Sequence, residues 1–216
     1  MRIIDLTQMM HEDMPVFPGI PGPKLERRYV YETDGFRATV VSTLSHTGTH
    51  MDAPAHLAEK GKTLDDIPVS HFVGKALVID ASDLKAGDRI TMAHINKVRE
   101  KADDASILLF RTDWDKNWGK EEYFGDYPCV DEEVMQYIID GKKTCVGFDV
   151  IGIDPVSDGE FKKHKKLFNS ADTVVLENLT NLGQCGDDVF IFAGLPLKYK
   201  DADGAPMRAV AILDVL

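Results

Sequence analysis

Cysteine is scarce in this sequence, and long apolar runs are missing from it. Three cysteines occur, Cys129, Cys145 and Cys185, and no two of them have Cys-x-x-Cys spacing. An odd and scattered set of this kind excludes a disulfide framework and a zinc ribbon, so we interpret these residues as buried or idle thiols.

The sequence also lacks the apolar segments that enter membranes. No window approaches the roughly 18 consecutive apolar residues that a membrane-spanning helix requires. The first residues, MRIID, are not followed by the apolar core of a secretory signal. We therefore expect a cytoplasmic protein.

Basic residues are outnumbered by acidic ones. The chain has 25 Lys and Arg against 36 Asp and Glu, which gives a net charge of -11. This charge repels phosphate backbones and anionic lipids, so nucleic acid and membranes are not expected as partners. With 44% hydrophobic and 28% charged residues, the composition is that of a globular protein. The length predicts one domain covering residues 1–216.

Short runs of β-branched and apolar residues predict strands along the whole chain. They cover residues 3–7, 36–44, 76–80, 107–110, 144–148, 173–176, 189–192 and 209–213. Residues 15–23 hold four prolines and two glycines, which predicts a rigid loop between the first two strands.

Three segments predict helices. Residues 91–101 follow Thr91 as an N-cap, residues 131–139 follow Asp131 and end at Gly141, and residues 161–168 form a short basic segment. Strands and helices alternate in the middle of the chain, and no repeat or flexible linker divides it. This pattern favours a mixed α/β domain.

Histidine and aspartate cluster in one segment, HTGTHMDAPAH, which runs from His46 to His56. A single histidine is usually a structural or surface residue, but this density is not typical of that role. Two imidazoles and a carboxylate can bind one divalent cation, and that mixture suits zinc, manganese or iron better than calcium. The segment therefore predicts a metal site.

The backbone of this segment has to bend for its side chains to share an ion. On a straight strand, which rises about 3.3 Å per residue, His46 and His50 would lie about 13 Å apart. Gly48 provides the freedom for a turn, and Pro54 argues against a helix. We expect the ligands on a bent loop that follows a strand.

The same segment resembles the signature His-x-Gly-Thr-His-x-Asp-x-Pro-x-His of the cyclase family of metal-dependent hydrolases, which includes bacterial kynurenine formamidases and isatin hydrolases. Every fixed position is matched. The similarity continues through residues 4–7, 14–19, 147–154, 164, 177–179, 196–198 and 203–208. This resemblance implies an α/β swivelling domain of β/β/α type with a mixed sheet, assembled as a homodimer with sites near the subunit contact.

The resemblance also implies a set of metal ligands. His46, His50 and Asp52 would hold one ion. His164 and Glu177 would complete a second site, with Asp52 and Glu177 bridging the two ions. The pair of ions is expected to be zinc or manganese.

The sequence around the two later ligands supports Glu177 better than His164. Glu177 ends an apolar run, and a carboxylate at the end of a strand can enter a pocket, although capping of Asn178 is an alternative role. His164 lies among four lysines, a pattern that by itself indicates a solvated helix face.

For the remaining side chains, the resemblance implies two roles. His56 would donate and accept protons, and Phe17 would contact the substrate. His11, His71 and His94 have no neighbouring ligand partners, so we interpret them as structural or surface residues. The aromatic and acidic stretch 113–118 is compatible with lining a pocket or with covering the core.

Together these features predict a metal-dependent amidohydrolase that cleaves an aryl formamide such as N-formylkynurenine, an intermediate of tryptophan catabolism. A divalent ion lowers the pKa of bound water from 15.7 to about 7, and a Gly-x-Ser-x-Gly nucleophile motif is absent from the sequence. Two alternatives stay open: opening of a cyclic amide or lactone, as in isatin hydrolase, and a non-catalytic metal-binding protein. In isatin hydrolase, a glutamine replaces the carboxylate and one ion is used, so Glu177 favours two ions. The presence of His56 argues against the non-catalytic alternative.

Overall fold

A mixed β-sheet forms the centre of the molecule in the computed structural model, which describes residues 1–215. The strands among these residues are β1 (Arg2–Asp5), β2 (Lys24–Tyr29), β3 (Ala38–Ser42), β4 (His50–Asp52), β5 (Val73–Asp80), β6 (Arg89–Ile90), β7 (Ile107–Arg111), β8 (Cys129–Val130), β9 (Cys145–Phe148), β10 (Val174–Glu177), β11 (Phe190–Pro196) and β12 (Gly204–Leu213). The α-helices are α1 (Tyr31–Asp34), α2 (Met92–Asn96), α3 (Arg99–Asp104), α4 (Glu132–Asp140) and α5 (Lys162–Phe168). Single turns of 3-10 helix cover Pro54–His56, Val69–His71, Trp114–Asn117, Glu121–Phe124 and Leu182–Gln184.

The central sheet has eight strands and closes on itself. Its spatial order is β1-β12-β11-β5-β7-β9-β10-β4, and β4 also pairs with β12. The pairs within β5-β7-β9-β10 are parallel, and the other pairs of this sheet are antiparallel. The predicted mixed α/β class with a mixed sheet is therefore confirmed.

Two buried clusters lie on opposite faces of this sheet, because successive side chains of a strand point to opposite sides. Along β5, Ala76 and Val78 belong to one cluster, whereas Leu77 and Ile79 belong to the other. Burial on both faces explains why the parallel strands have continuous apolar sequences.

The helix predicted over residues 91–101 is divided into α2 and α3. Val98 has a φ of -134° and is the N-cap of α3, so the helical path is interrupted there. Its β-branched side chain packs against the core, and such side chains are less suited to a helix. The caps at Thr91 and Asp131 are confirmed, since each side chain accepts a backbone N–H of its helix.

The ribbon of β2 and β3 forms a separate two-stranded sheet. Strand β2 was not predicted, because its residues KLERRY are mostly charged and have no alternating apolar pattern. Five large apolar or aromatic side chains of this region are exposed: Tyr29, Tyr31, Phe36, Val40 and Val41.

The cysteines Cys129, Cys145 and Cys185 are buried and free, as we had interpreted them. Among residues 1–215, no helix has the length and apolar character needed to cross a membrane.

Candidate active site

The motif segment begins as a tight turn and continues as a strand. Gly48 has a φ of +66°, a left-handed conformation that favours glycine, and this turn leads directly into β4. The turn brings His46 Nδ1 to 2.6 Å from Asp52 Oδ1. The expected bent loop is therefore correct for His46, whereas His50 and Asp52 lie on the strand that follows.

Strand β4 places its two polar side chains on one side and an apolar side chain on the other. His50 and Asp52 are two residues apart, so both face the same side of the sheet, and the buried Met51 faces the opposite core. The β4–β10 pairing sets His50 opposite Glu177, with His50 Nε2 3.5 Å from Glu177 Oε2. The carboxylate at the end of β10 thus enters the cluster, as its sequence position indicated.

Helix α5 adds His164 to the same cluster. His164 Nε2 lies 3.3 Å from both Asp52 Oδ2 and Glu177 Oε1. Its sequence context indicated a solvated face, which is wrong, because only 5% of the residue is exposed. The buried stripe of the helix contains His164, Leu167 and Phe168, and the neighbouring lysines lie around the more exposed side.

His56 lies beside this cluster at the end of a 3-10 turn. Its ring is 3.9 Å from the ring of His46, centroid to centroid, with a tilt of 33°. Ligand atoms of His46, Asp52 and His56 lie within 4.8 Å of one another, and so do those of His50, Asp52 and Glu177. All six residues expected from the motif and its partners are thus brought together.

A cavity of about 330 Å³ opens onto these side chains. Phe17 lies in its wall, and the Phe17 ring is 6.3 Å from that of Phe161. Several apolar side chains complete the lining, namely Val16, Ile20, Leu44 and Ile151. The site therefore combines a polar floor with a largely apolar wall.

Neighbouring charges shift the pKa values of the cluster. Burial disfavours the charged form of His46, but the carboxylates of Asp52 and Asp203 outweigh it and raise the pKa of His46 to about 9. The pKa of Asp52 lies well below its ordinary value, because the charges of His46 and His50 outweigh its burial. The pKa of Glu177 is raised by burial and by the charge of Asp52.

His56 has the opposite shift. Its pKa is lowered to about 4, chiefly by burial and despite the nearby carboxylate of Asp52. In a metal-free protein at neutral pH, His56 is therefore uncharged while His46 carries a proton on both ring nitrogens. The two rings in contact have different protonation states.

Two buried polar atoms in the cluster have no hydrogen-bond partner among the described residues: His164 Nε2 and Glu177 Oε1. Buried polar groups are almost always paired, and a role as metal ligand is one explanation for an exception. These atoms belong to an imidazole and a carboxylate, the donors that zinc and manganese accept. The residues present therefore fit a divalent metal.

The histidine tautomers are set by residues outside the cluster. His50 Nδ1 donates to the carbonyl oxygen of Gly48 at 2.8 Å, which leaves Nε2 directed at Asp52 and Glu177. The same carbonyl accepts a 2.9 Å bond from Asn178 Nδ2. Asn178 is held in turn by the hydroxyl of the buried Tyr123, which donates to Asn178 Oδ1 at 2.8 Å.

Sequence reasoning missed two acidic residues of the site. Asp203 Oδ2 lies 3.0 Å from His46 Nε2, and Asp154 Oδ2 lies 2.7 Å from His164 Nδ1. Both occur in stretches that resemble the cyclase family, but neither was given a role. Asp203 is 157 residues from His46, so only the family stretch 203–208 could have indicated it.

The acidic and aromatic stretch 113–118 does not line this cavity. Trp114 Nε1 donates to the carbonyl of Tyr123, and Trp118 packs edge-to-face on the Tyr123 ring. The stretch covers the core, which was one of the two alternatives. Of the other histidines, His11 is exposed, and His94 is a structural residue in the cap of α2.

Comparison with known proteins places these observations in a family. The family model described as "Putative cyclase" matches residues 4–155. A kynurenine formamidase from Bacillus cereus is 31% identical over 209 residues, which cover 96% of this chain and 95% of the relative.

Solved structures have the same fold. An isatin hydrolase bound to the product analogue thioisatinate superposes with a TM-score of 0.87 at 24% identity, covering 97% of this chain and 91% of that one. Isatin hydrolase A from Labrenzia aggregata, bound to benzyl benzoate, gives a TM-score of 0.86 at 26% identity, with 97% and 93% covered. The expected swivelling α/β fold is confirmed. The chain belongs to the cyclase family and is a hydrolase.

Proposed function

We propose that the chain is a metal-dependent amidohydrolase that cleaves an aryl formamide into formate and an aryl amine. The observation that carries this proposal is the convergence of His46, His50, Asp52, His164 and Glu177 on the floor of an apolar-walled cavity. The similarity to a kynurenine formamidase supports the formamide as substrate. N-Formylkynurenine is the candidate, which would give the enzyme a role in tryptophan catabolism.

In this proposal, the cluster holds two divalent ions, zinc or manganese. His46, His50 and Asp52 would hold one ion, while His164 and Glu177 would hold the other. Asp52 is suited to bridging, since Oδ1 lies beside His46 and His50 and Oδ2 lies beside His164. A divalent ion supplies a nucleophile at neutral pH, by lowering the pKa of water, and polarises the carbonyl group.

His56 is the proposed catalytic proton donor and acceptor. Hydrolysis adds water across the C–N bond, so a proton must reach the departing nitrogen. A neutral imidazole can take up that proton and deliver it, and the burial of His56, which lowers its pKa, favours the neutral ring. The Phe17 ring, in the cavity wall, is proposed to contact the aryl group.

A second candidate reaction is the opening of a cyclic amide or lactone. The structural likeness to isatin hydrolase A, with a TM-score of 0.86 at 26% identity, favours it. Both reactions use the same floor of the cavity and break a bond to an acyl carbon. A carboxylate at Glu177 supports the two-ion formamidase over this alternative.

The experiment is a substrate comparison with zinc-loaded or manganese-loaded protein. Turnover is measured on formanilide, N-formylkynurenine, isatin and an aryl lactone. We expect the formamides to give the highest kcat/KM. A folded, metal-loaded protein without turnover on either formamide contradicts the proposal, and preference for isatin selects the second candidate.

Substitution of His56 separates an enzyme from a metal-binding scaffold. We expect His56→Ala to lower kcat by about 100-fold or more, which is the usual contribution of a positioned acid–base group. Zinc binding is measured in parallel and should be largely retained, because the other five side chains hold the ions. A variant with unchanged kcat contradicts the role of His56.

We also propose that the chain forms a homodimer through the β2–β3 ribbon. An isolated two-stranded ribbon is marginally stable in water, and this one exposes Phe36 at 52% and Val41 at 55%. The test is the molar mass in solution by light scattering. The wild type should have twice the monomer mass, and Val41→Lys should shift the mass towards that of the monomer. A monomeric wild type would refute the proposed dimer.

We further propose that residues 1–216 form one domain. The pairing of β1 with β12 supports this, because it joins Arg2 at one end of the sequence to Leu213 at the other. One cooperative unfolding transition by calorimetry is expected, and two separate transitions would contradict it.

A further inference from the structure

Asp154 is a buried carboxylate whose side-chain hydrogen bonds all go to the start of one helix. Only 4% of the residue is exposed. Its Oδ1 accepts the backbone N–H of Lys163 at 2.7 Å, and its Oδ2 accepts the backbone N–H of His164 at 3.0 Å. Oδ2 also accepts the ring Nδ1–H of His164 at 2.7 Å. One side chain therefore binds both the backbone and the imidazole of the same residue.

The contact between Asp154 and the ring of His164 sets the direction of the other ring nitrogen. A carboxylate only accepts, so Nδ1 is the protonated nitrogen of a neutral His164 and Nε2 has the free lone pair. This Nε2 lies 3.3 Å from Asp52 and from Glu177, and it is one of the two buried atoms without a hydrogen-bond partner.

The residue at the N-cap position of α5 does not cap the helix with its own side chain. This residue, Phe161, has a φ of +52° and makes no side-chain cap hydrogen bond. Asp154, seven residues earlier, accepts two of the N–H groups that the first turn leaves unpaired. Asp154 thus contributes both to the beginning of the helix and to the direction of its histidine.

We propose that Asp154 is the positioning residue of the second metal position, which it serves by fixing the orientation and tautomer of His164. This inference rests on the proposed function, because it assumes that His164 binds an ion. Partners of this kind on metal-binding histidines typically affect metal affinity by about 10–100-fold.

An asparagine cannot replace Asp154 in these contacts. If the amide oxygen faces His164, the amide NH2 faces the N–H of Lys163, and two donors meet. If the amide is turned round, the NH2 faces both donors of His164. Either arrangement loses a contact, and the amide oxygen is also a weaker acceptor for the His164 ring than a carboxylate, although the side chain keeps its size.

Asp158 provides a matched control in the same loop. Its Oδ2 lies 3.3 Å from the backbone N of Lys162 at the start of α5, and Oδ1 accepts the N–H of Glu160. Asp158→Asn therefore removes a carboxylate that caps the same helix without touching the ring of His164. It reports the effect of a weaker helix start alone.

The experiment is a calorimetric titration of metal-free protein with Zn²⁺. Wild type is expected to bind two ions, and Asp154→Asn should weaken one of them by about 10–100-fold while leaving the other within threefold. Asp158→Asn should bind both ions as wild type does. The NMR signal of the His164 Nδ1 proton, measured without metal, should have the same chemical shift in wild type and in Asp158→Asn and a different one in Asp154→Asn, because a neutral amide is a weaker acceptor than a carboxylate.

The outcomes separate this inference from the proposed function. If wild type binds no Zn²⁺, the proposed function fails and this inference fails with it. If wild type binds two ions and Asp154→Asn binds both with unchanged affinity, only the positioning role is overturned. Equal weakening in the Asp154→Asn and Asp158→Asn variants also overturns it, because the effect would then come from the helix start. If wild type binds only one ion, the positioning role is overturned unless His164→Ala and Asp154→Asn weaken the affinity for that ion to the same degree.

Discussion

Gly204 is predicted to be essential for the position of His46, although it contributes no functional group. It lies opposite Asp52 in the β4–β12 pairing, against the face of the His46 ring. A Cβ added at Gly204 would lie 2.9 Å from both ring nitrogens, and nearer still to Cε1. Ordinary contact begins at about 3.4 Å, so the ring would have to move.

The His46 ring cannot move freely. It is held between Asp52 at 2.6 Å and Asp203 at 3.0 Å, and the His56 ring lies against it. We expect Gly204→Ala to displace the imidazole by about 0.5–1 Å. A misplacement of about 1 Å lowers the rate by about 100-fold, which corresponds to about 2.7 kcal/mol in the barrier.

The assay compares kcat/KM on formanilide and the Zn²⁺ affinity of the wild type and Gly204→Ala. Overpacking itself costs about 1–3 kcal/mol of stability, so the unfolding free energy is measured on the same samples. Gly159→Ala is the control, because its Cβ would meet no atom within 4 Å and its φ is not positive. If a folded Gly204→Ala keeps kcat/KM and Zn²⁺ affinity within threefold of wild type, the reasoning is refuted.

Two further predictions concern the carboxylates around His46. Asp203→Ala removes the partner of His46 Nε2, so the affinity for Zn²⁺ should fall by about 10-fold or more in a calorimetric titration. An unchanged affinity would argue against any role for Asp203 in holding the His46 ring. In metal-free protein, the pKa of His46 is raised from 6.5 to about 9, so folding favours the protonated ring. This contribution to the free energy of unfolding is fully present below pH 6.5, and it is lost as the pH rises through 9. Urea unfolding in the presence of a chelator should therefore give a lower unfolding free energy at pH 9.5 than at pH 6.5, and this difference should be smaller in His46→Asn than in wild type. Equal pH dependence in the two proteins would contradict the assignment of the raised pKa to His46.

Much of the site follows from local sequence. The spacing within HTGTHMDAPAH places His46, His50 and Asp52 close together once Gly48 makes its turn, and this turn could be anticipated because glycine readily adopts positive φ. The Asp131 cap of α4 was equally local, since it depends on a side chain and a backbone N–H three residues later. Interactions of this range are visible in a pattern of residue types.

The remaining features depend on contacts between distant parts of the chain. The burial of His164 could not be predicted from its lysine neighbours, because it depends on which side of α5 packs against the sheet. The roles of Asp154 and Asp203 depend on which imidazole each carboxylate meets after folding. For the same reason, the break at Val98 was missed, since a core contact competes there with a continuous helical pattern.

The closure of the sheet explains why so short a strand can hold the metal-binding side chains. Strand β4 has three residues but pairs on both sides, with β10 and with β12. A slip of one residue would bring Met51 to the cavity and bury His50 and Asp52 in the apolar core, where unpaired charges are strongly disfavoured. The same register that puts Met51 into the core therefore sets His50 beside Glu177 and Asp52 beside Gly204. Hydrophobic burial on the opposite face of the sheet thus fixes the direction in which His50 and Asp52 point. Their direction does not depend on a bound metal ion.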